Sequence, residues 1–156
     1  MPTPKKKTTK KVTKKAAAEL AAPPAEATPK RRTRRASAKT ESEDARKFSV
    51  EAARLMKDLH CENIDVFDVR GKSDVMDYLL IASGTSDRQM RSVGDDLEEL
   101  GKKYKLQAFG KDVDGPTTWI VLDFVDVVIH LFEPQTRAFY DLEMLWGDAP
   151  QVEWQR

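Results

Sequence analysis

The chain has 156 residues, a formal net charge of +1 at pH 7 and 34% charged residues, a length that suits one domain plus an extension. Its single cysteine, Cys61, excludes a disulfide-stapled secreted domain, and with only His60 and His130 beside it a Cys/His zinc module lacks ligands. No apolar run nears the ~18 residues of a membrane span and no signal-type apolar core opens the chain, so no membrane partner is expected, and a soluble protein of a reducing compartment is.

The small net charge conceals two unlike halves. Residues 1–47 carry 15 Lys/Arg against 5 Asp/Glu, for +10, which leaves the remainder at −9. Beyond alanine, Val12 and Leu20 are the only aliphatic residues of the first 47. Such a stretch cannot offset an ordering entropy of ~1–2 kcal/mol per residue, so a disordered basic tail is expected. Pro23, Pro24 and Pro29 further oppose a continuous helix. Lys5, Lys6, Lys7, Arg31, Arg32, Arg34 and Arg35 are candidate phosphate contacts; such binding would be weak, sequence-blind and salt-sensitive, and is favoured over a purely solubilising role. Lysine runs and prolines do not make the amphipathic Arg-rich helix of a mitochondrial presequence.

Ordered structure is expected from Phe48, with Ser49 as helix cap and Ala52, Leu55, Met56 and Leu59 at helical spacing. Residues 64–69 read as a strand ended by Gly71, and residues 78–82 as a central strand, apolar without alternation. Ser86-Asp87-Arg88-Gln89 is a capping box, followed by Met90, Val93, Leu97, Leu100 and Tyr104 in steps of three and four. Lysines 102, 103 and 105 sit where the helix dipole favours them. A short strand at 106–109 and a loop at 110–117 come next, then two strands, 119–123 and 126–132, close enough for a hairpin although Phe124-Val125 is poor turn chemistry. Pro134 ends the second, and a last helix from about Gln135 closes at Gly147. The pattern predicts one α/β domain over 48–150, with a mixed five-stranded sheet and flanking helices, and a short C-terminal tail at 151–156.

No catalytic set emerges. Asp65 and Asp68, three apart on a strand, face opposite ways. Asp74 and Asp77 share a loop and could converge on a metal, the basis of an alternative reading as an enzyme, but capping is the commoner use of such residues. His60 and Cys61 lack a third partner, and the turn at 83–86 lacks the lysine of a phosphate-binding loop. A second alternative is a nucleic-acid-binding protein led by the basic tail.

The hairpin is more informative. Trp119, Val121 and Asp123 share one face with Asp126, Val128, His130 and Phe132, while the opposite face is wholly apolar. A tryptophan ringed by carboxylates is what an anchoring site for a protein partner needs. Coverage of Trp119 by the last helix, with His130 a satisfied sheet residue, is the competing reading.

Three blocks carry a resemblance: residues 77–89 (DYLLIASGTSDRQ), 119–132 (WIVLDFVDVVIHLF) and 139–150 (FYDLEMLWGDAP). In this order they resemble the ribosomal silencing factor (RsfS/Iojap) family across the body but not the tail. The resemblance implies a nucleotidyltransferase-like fold without the catalysis. It implies binding to the large ribosomal subunit through large-subunit ribosomal protein fourteen, and steric exclusion of the small subunit, hence repressed translation. It implies no cofactor, and a monomer or weak homodimer. Partner contact would then involve Trp119, Asp123, Phe124, Asp126 and His130 of the hairpin, with Asp77 and Tyr78 beside it. Truncating Trp119 is expected to weaken binding while leaving the fold intact. In the hairpin turn, where the family usually has glycine, this chain has Val125, and a β-branched residue resists positive φ.

Overall fold

The computed structural model describes residues 38–110 and 116–156, with side chains from residue 42 onward. Most of the basic tail, including its seven candidate phosphate contacts, lies outside the described residues.

The first helix, α1 (Ala38–Asp58), begins ten residues before the expected start at Phe48. Ala45, Phe48, Ala52 and Met56 recur every three or four residues and are all buried, so the apolar stripe extends back into the charged segment. Ser49 is therefore no cap. It is buried in mid-helix, where its hydroxyl donates to the Ala45 carbonyl at 2.8 Å. At the far end His60 takes a positive φ of 65° and the Cys61 amide returns to the Met56 carbonyl at 2.9 Å.

β1 (Glu62–Asp68) and the fully buried β2 (Tyr78–Ser83) follow. α2 (Asp87–Lys103) starts as its capping box predicts. Ser86 Oγ accepts from the Gln89 amide at 3.2 Å, and Gln89 Oε1 accepts from the Thr85 amide at 2.8 Å. β3 (Trp119–Asp123) and β4 (Val127–Phe132) form the expected hairpin. Its turn keeps the positive φ, 73° at Val125, with the Asp126 amide closing on the Phe124 carbonyl at 3.0 Å. The strained turn is held by Asp123, whose Oδ1 accepts from the Val125 amide at 2.7 Å. The predicted last helix is two: α3 (Pro134–Tyr140) and α4 (Leu142–Leu145), broken where Asp141 is left-handed.

The sheet among the described residues has four strands in the order β1-β2-β4-β3, with β2 and β4 parallel and the outer pairs antiparallel. The expected fifth strand at 106–109 is a single bridge from Phe109 to Asp123. Lys105 and Gly110, both at positive φ, bend the chain at either side of it and leave too short an extended run to pair.

One face of the sheet, with Leu80, Ile120, Leu122, Ile129 and Leu131, packs under α1 and α2. The other, with Leu79, Ile81, Val128 and Phe132, is covered by Tyr140, Leu142 and Trp146 of the C-terminal segment. Residues 151–156 are not a loose tail. Gln151 pairs with Phe67, the Val152 amide bonds the Val66 carbonyl at 2.8 Å, and Val152 and Trp154 are buried. This segment closes the free edge of β1, which would otherwise expose unpaired backbone groups.

Candidate functional site

The register separates the residues expected to form one partner surface. Trp119 pairs with Phe132 at the start of β3, whereas Asp123 pairs with Val128 at its end; four residue steps of about 3.3 Å put the two ends about 13 Å apart. Asp77 and Asp126 belong with Asp123, because the Asp126 carbonyl accepts from the amides of Asp77 (2.8 Å) and Tyr78 (3.0 Å) where β2 and β4 begin.

Two expected contact residues are core residues instead. Phe124 is 1% exposed, edge-on to Phe48 at 4.8 Å, and Tyr78 is fully buried with the Arg70 guanidinium 5.2 Å from its ring centre. Both project to the α1/α2 side, so neither can reach a partner on the opposite face. Burial also pushes the Tyr78 phenol pKa up.

At the other end Trp119 is half-buried. Its ring stacks on Phe132 at 4.8 Å and lies 4.9 Å from Tyr140, and its Nε1 donates to His130 Nδ1 at 3.1 Å. The acceptor role of Nδ1 places the imidazole proton on Nε2. Burial lowers the His130 pKa from 6.5 to about 4, so the ring is neutral near pH 7. Coverage by the C-terminal helices, the competing reading, therefore holds in part. Trp119→Ala would strip packing from Phe132 and Tyr140 and cost roughly 2–3 kcal/mol of stability, so its effect on binding has to be read beside its effect on the fold.

What the sequence reading missed lies next to this cluster. Phe139, Met144 and Leu145 are 80%, 80% and 71% exposed, while Tyr140, Leu142 and Trp146 turn inward. The signal was present: six large apolar side chains in the eight residues 139–146 exceed what one helix face can bury. Three such side chains together mark an interaction surface more often than scattered apolar exposure does.

The remaining candidates do not converge on one site. Asp74 is exposed, and among the described residues no three His, Cys, Asp or Glu side chains are grouped to hold a metal. Cys61 is buried, its thiol pushed up to about 11 by that burial, while the adjacent His60 is exposed. Among the described residues no helix is long and apolar enough to cross a membrane.

Comparison with known proteins agrees with the geometry. The family described as "Ribosomal silencing factor during starvation" matches residues 40–156. The chain is 35% identical over 102 residues to the ribosomal silencing factor RsfS of Bacillus subtilis, covering 65% of this chain and 86% of that one. It is also 35% identical over 98 residues to mouse mitochondrial assembly of ribosomal large subunit protein 1, covering 59% of this chain and 42% of the mouse protein. A crystal structure from Bacillus halodurans superposes with a TM-score of 0.57 at 27% identity, over 71% of this chain and 98% of that one. A match over three quarters of the chain places this protein in the ribosomal silencing factor family.

Proposed function

We propose that this protein docks on the large ribosomal subunit and sterically prevents the small subunit from joining, repressing translation. The docking partner is large-subunit ribosomal protein fourteen, and the docking surface is the C-terminal end of the molecule. The observation that supports this reading best is the exposed trio Phe139, Met144 and Leu145 on α3 and α4, with Phe139 edge-on to Tyr140 and Tyr140 against Trp119. An exposed apolar centre over a stacked aromatic base has the make-up of an interface core. Asp77, Asp123 and Asp126, at the far end of the sheet, would meet the partner's rim. A body at −9 suits a basic ribosomal protein and would be repelled by bare rRNA, which leaves rRNA contact to the tail. The nucleotidyltransferase-like fold serves as scaffold only, and the setting is the bacterial cytoplasm.

The test is sedimentation of the full chain with purified large subunits, followed by small subunits. We expect co-sedimentation and loss of joined ribosomes. Phe139→Ser combined with Met144→Ser should weaken binding at least tenfold, roughly the loss of a hot-spot pair, and restore joining. Unchanged affinity in that variant would move the docking surface elsewhere.

A further inference from the structure

α3 and α4 have seven and four residues, far below the length at which a helix is stable alone. Neither contains a fully buried residue, and neither has a side-chain N-terminal cap. Their position must be imposed from outside. Besides the inward rings of Tyr140 and Trp146, the largest polar tie is Arg137. Its side chain is only 11% exposed and spends its donors on four groups from three elements. Nη2 bonds Asp65 Oδ2 of β1 at 2.7 Å, and Nη1 bonds Ser83 Oγ of β2 at 3.0 Å. Nη1 also bonds the Asn63 carbonyl, at the irregular start of β1, and Nε bonds Glu143 Oε1 of α4. The second Glu143 oxygen, Oε2, is buried with no hydrogen-bond partner among the described residues, so this carboxylate depends on Arg137 alone.

We propose that Arg137 is the positioning residue of the docking surface: it pins α3 and α4 to the sheet so that Phe139, Met144 and Leu145 are held ready for the partner. This rests on the docking surface proposed above. The mechanism is charge as much as reach. Asp65 and Glu143, 32% and 26% exposed, are both ion-paired to one guanidinium. Without it, two half-buried carboxylates share one site with no cation, and their repulsion drives α4 away from β1. A planar guanidinium spreads five donors over a rigid fork and so reaches acceptors on three elements at once, which the compact three-donor ammonium of lysine cannot. A pinned surface also loses less conformational freedom on binding than one that must first order.

The experiment uses full-length Arg137→Gln, measured for amide exchange and for large-subunit affinity, alone and combined with Phe139→Ser/Met144→Ser. Exchange is expected to rise across residues 134–150 while β2 and α2 stay protected. Affinity is expected to fall about tenfold or more, and adding the two serines is expected to cost little further, because both changes remove the same surface. Arg137→Gln/Asp65→Asn/Glu143→Gln, which also removes the stranded charges, is expected to recover part of the protection at 134–150. Unchanged exchange at 134–150 overturns the proposal, as does wild-type affinity in a loosened protein. Losses that simply multiply overturn it too, since Arg137 would then act apart from the trio. If the two serines alone leave affinity intact, the docking surface fails first; the exchange result then still reports whether Arg137 pins the segment.

Discussion

At residue scale Val125 and His130 each sit in a conformation or environment that costs free energy. Val125 holds a φ of 73°, a region that β-branched residues enter only when the surroundings compel them. The compulsion is visible: the Asp123 side chain takes the Val125 amide, and the Phe124 amide bonds the Val127 carbonyl at 2.8 Å. Val125→Gly should remove about 1–2 kcal/mol of strain and lose under ~1 kcal/mol to backbone entropy, leaving a net gain near 1 kcal/mol in urea unfolding. The conflict between valine and the turn was legible in the sequence; its outcome was not, because it depended on hydrogen bonds from residues the turn brings together. His130 is the second case. It stays neutral when folded down to about pH 4, whereas the unfolded chain binds the proton near 6.5. The unfolded state therefore holds more protons between those values, and stability is full above pH 6.5 and declines as pH falls toward 4, by at most about 3 kcal/mol. Urea midpoints across that window should show the decline, and His130→Gln should flatten it. His130 titrating near 6.5 by NMR would contradict the buried, Trp119-bonded ring.

At element scale α2 was the most legible feature, because caps and periodicity are local. Ser86→Ala should cost about 1 kcal/mol, the worth of one lost cap, without altering the fold. Gly101 was not legible. It lies near the end of α2 where a Cβ would stand 2.6 Å from Phe124 Cε1 and 3.1 Å from the Leu106 carbonyl oxygen. Gly101→Ala should thus destabilise by roughly 1–3 kcal/mol through overpacking, despite alanine's better helix propensity. Thermal unfolding of both variants would separate the two causes. The start of α1 was misread for a related reason. Its first turns are charged and hold few apolar residues, and Ala45 only becomes a core residue once the sheet lies beneath it.

For the whole molecule, the two halves of opposite charge make a prediction about where to cut. Residues 1–37 carry 12 Lys/Arg and two Glu, so their removal deletes the entire +10 yet leaves α1 whole. A chain starting at residue 38 should keep wild-type stability and bind large subunits with a shallower dependence on salt, because fewer phosphate contacts release fewer counterions. A chain starting at residue 48 should be less stable by about 2 kcal/mol or more. It loses Ala45 and ten helical residues, along with the Ser42 hydroxyl that accepts from Arg70 at 3.0 Å. Equal melting temperatures for the two chains would contradict the early start of α1.

Within these 156 residues, the sequence by itself determined what depends on neighbours along the chain: the capped helix α2, the apolar central strand β2, the β3–β4 hairpin and the break in charge between tail and body. Periodicity and capping act over three or four residues, so one sequence suffices to read them. Only the tertiary structure decided which face each side chain meets. It sent Phe124 and Tyr78 into the core, packed Trp119 against Tyr140, folded residues 151–156 along β1 and left Phe139, Met144 and Leu145 in solvent. Burial is settled by what packs on the other side, and for these residues that partner lies far along the chain, 84 positions away between Phe67 and Gln151.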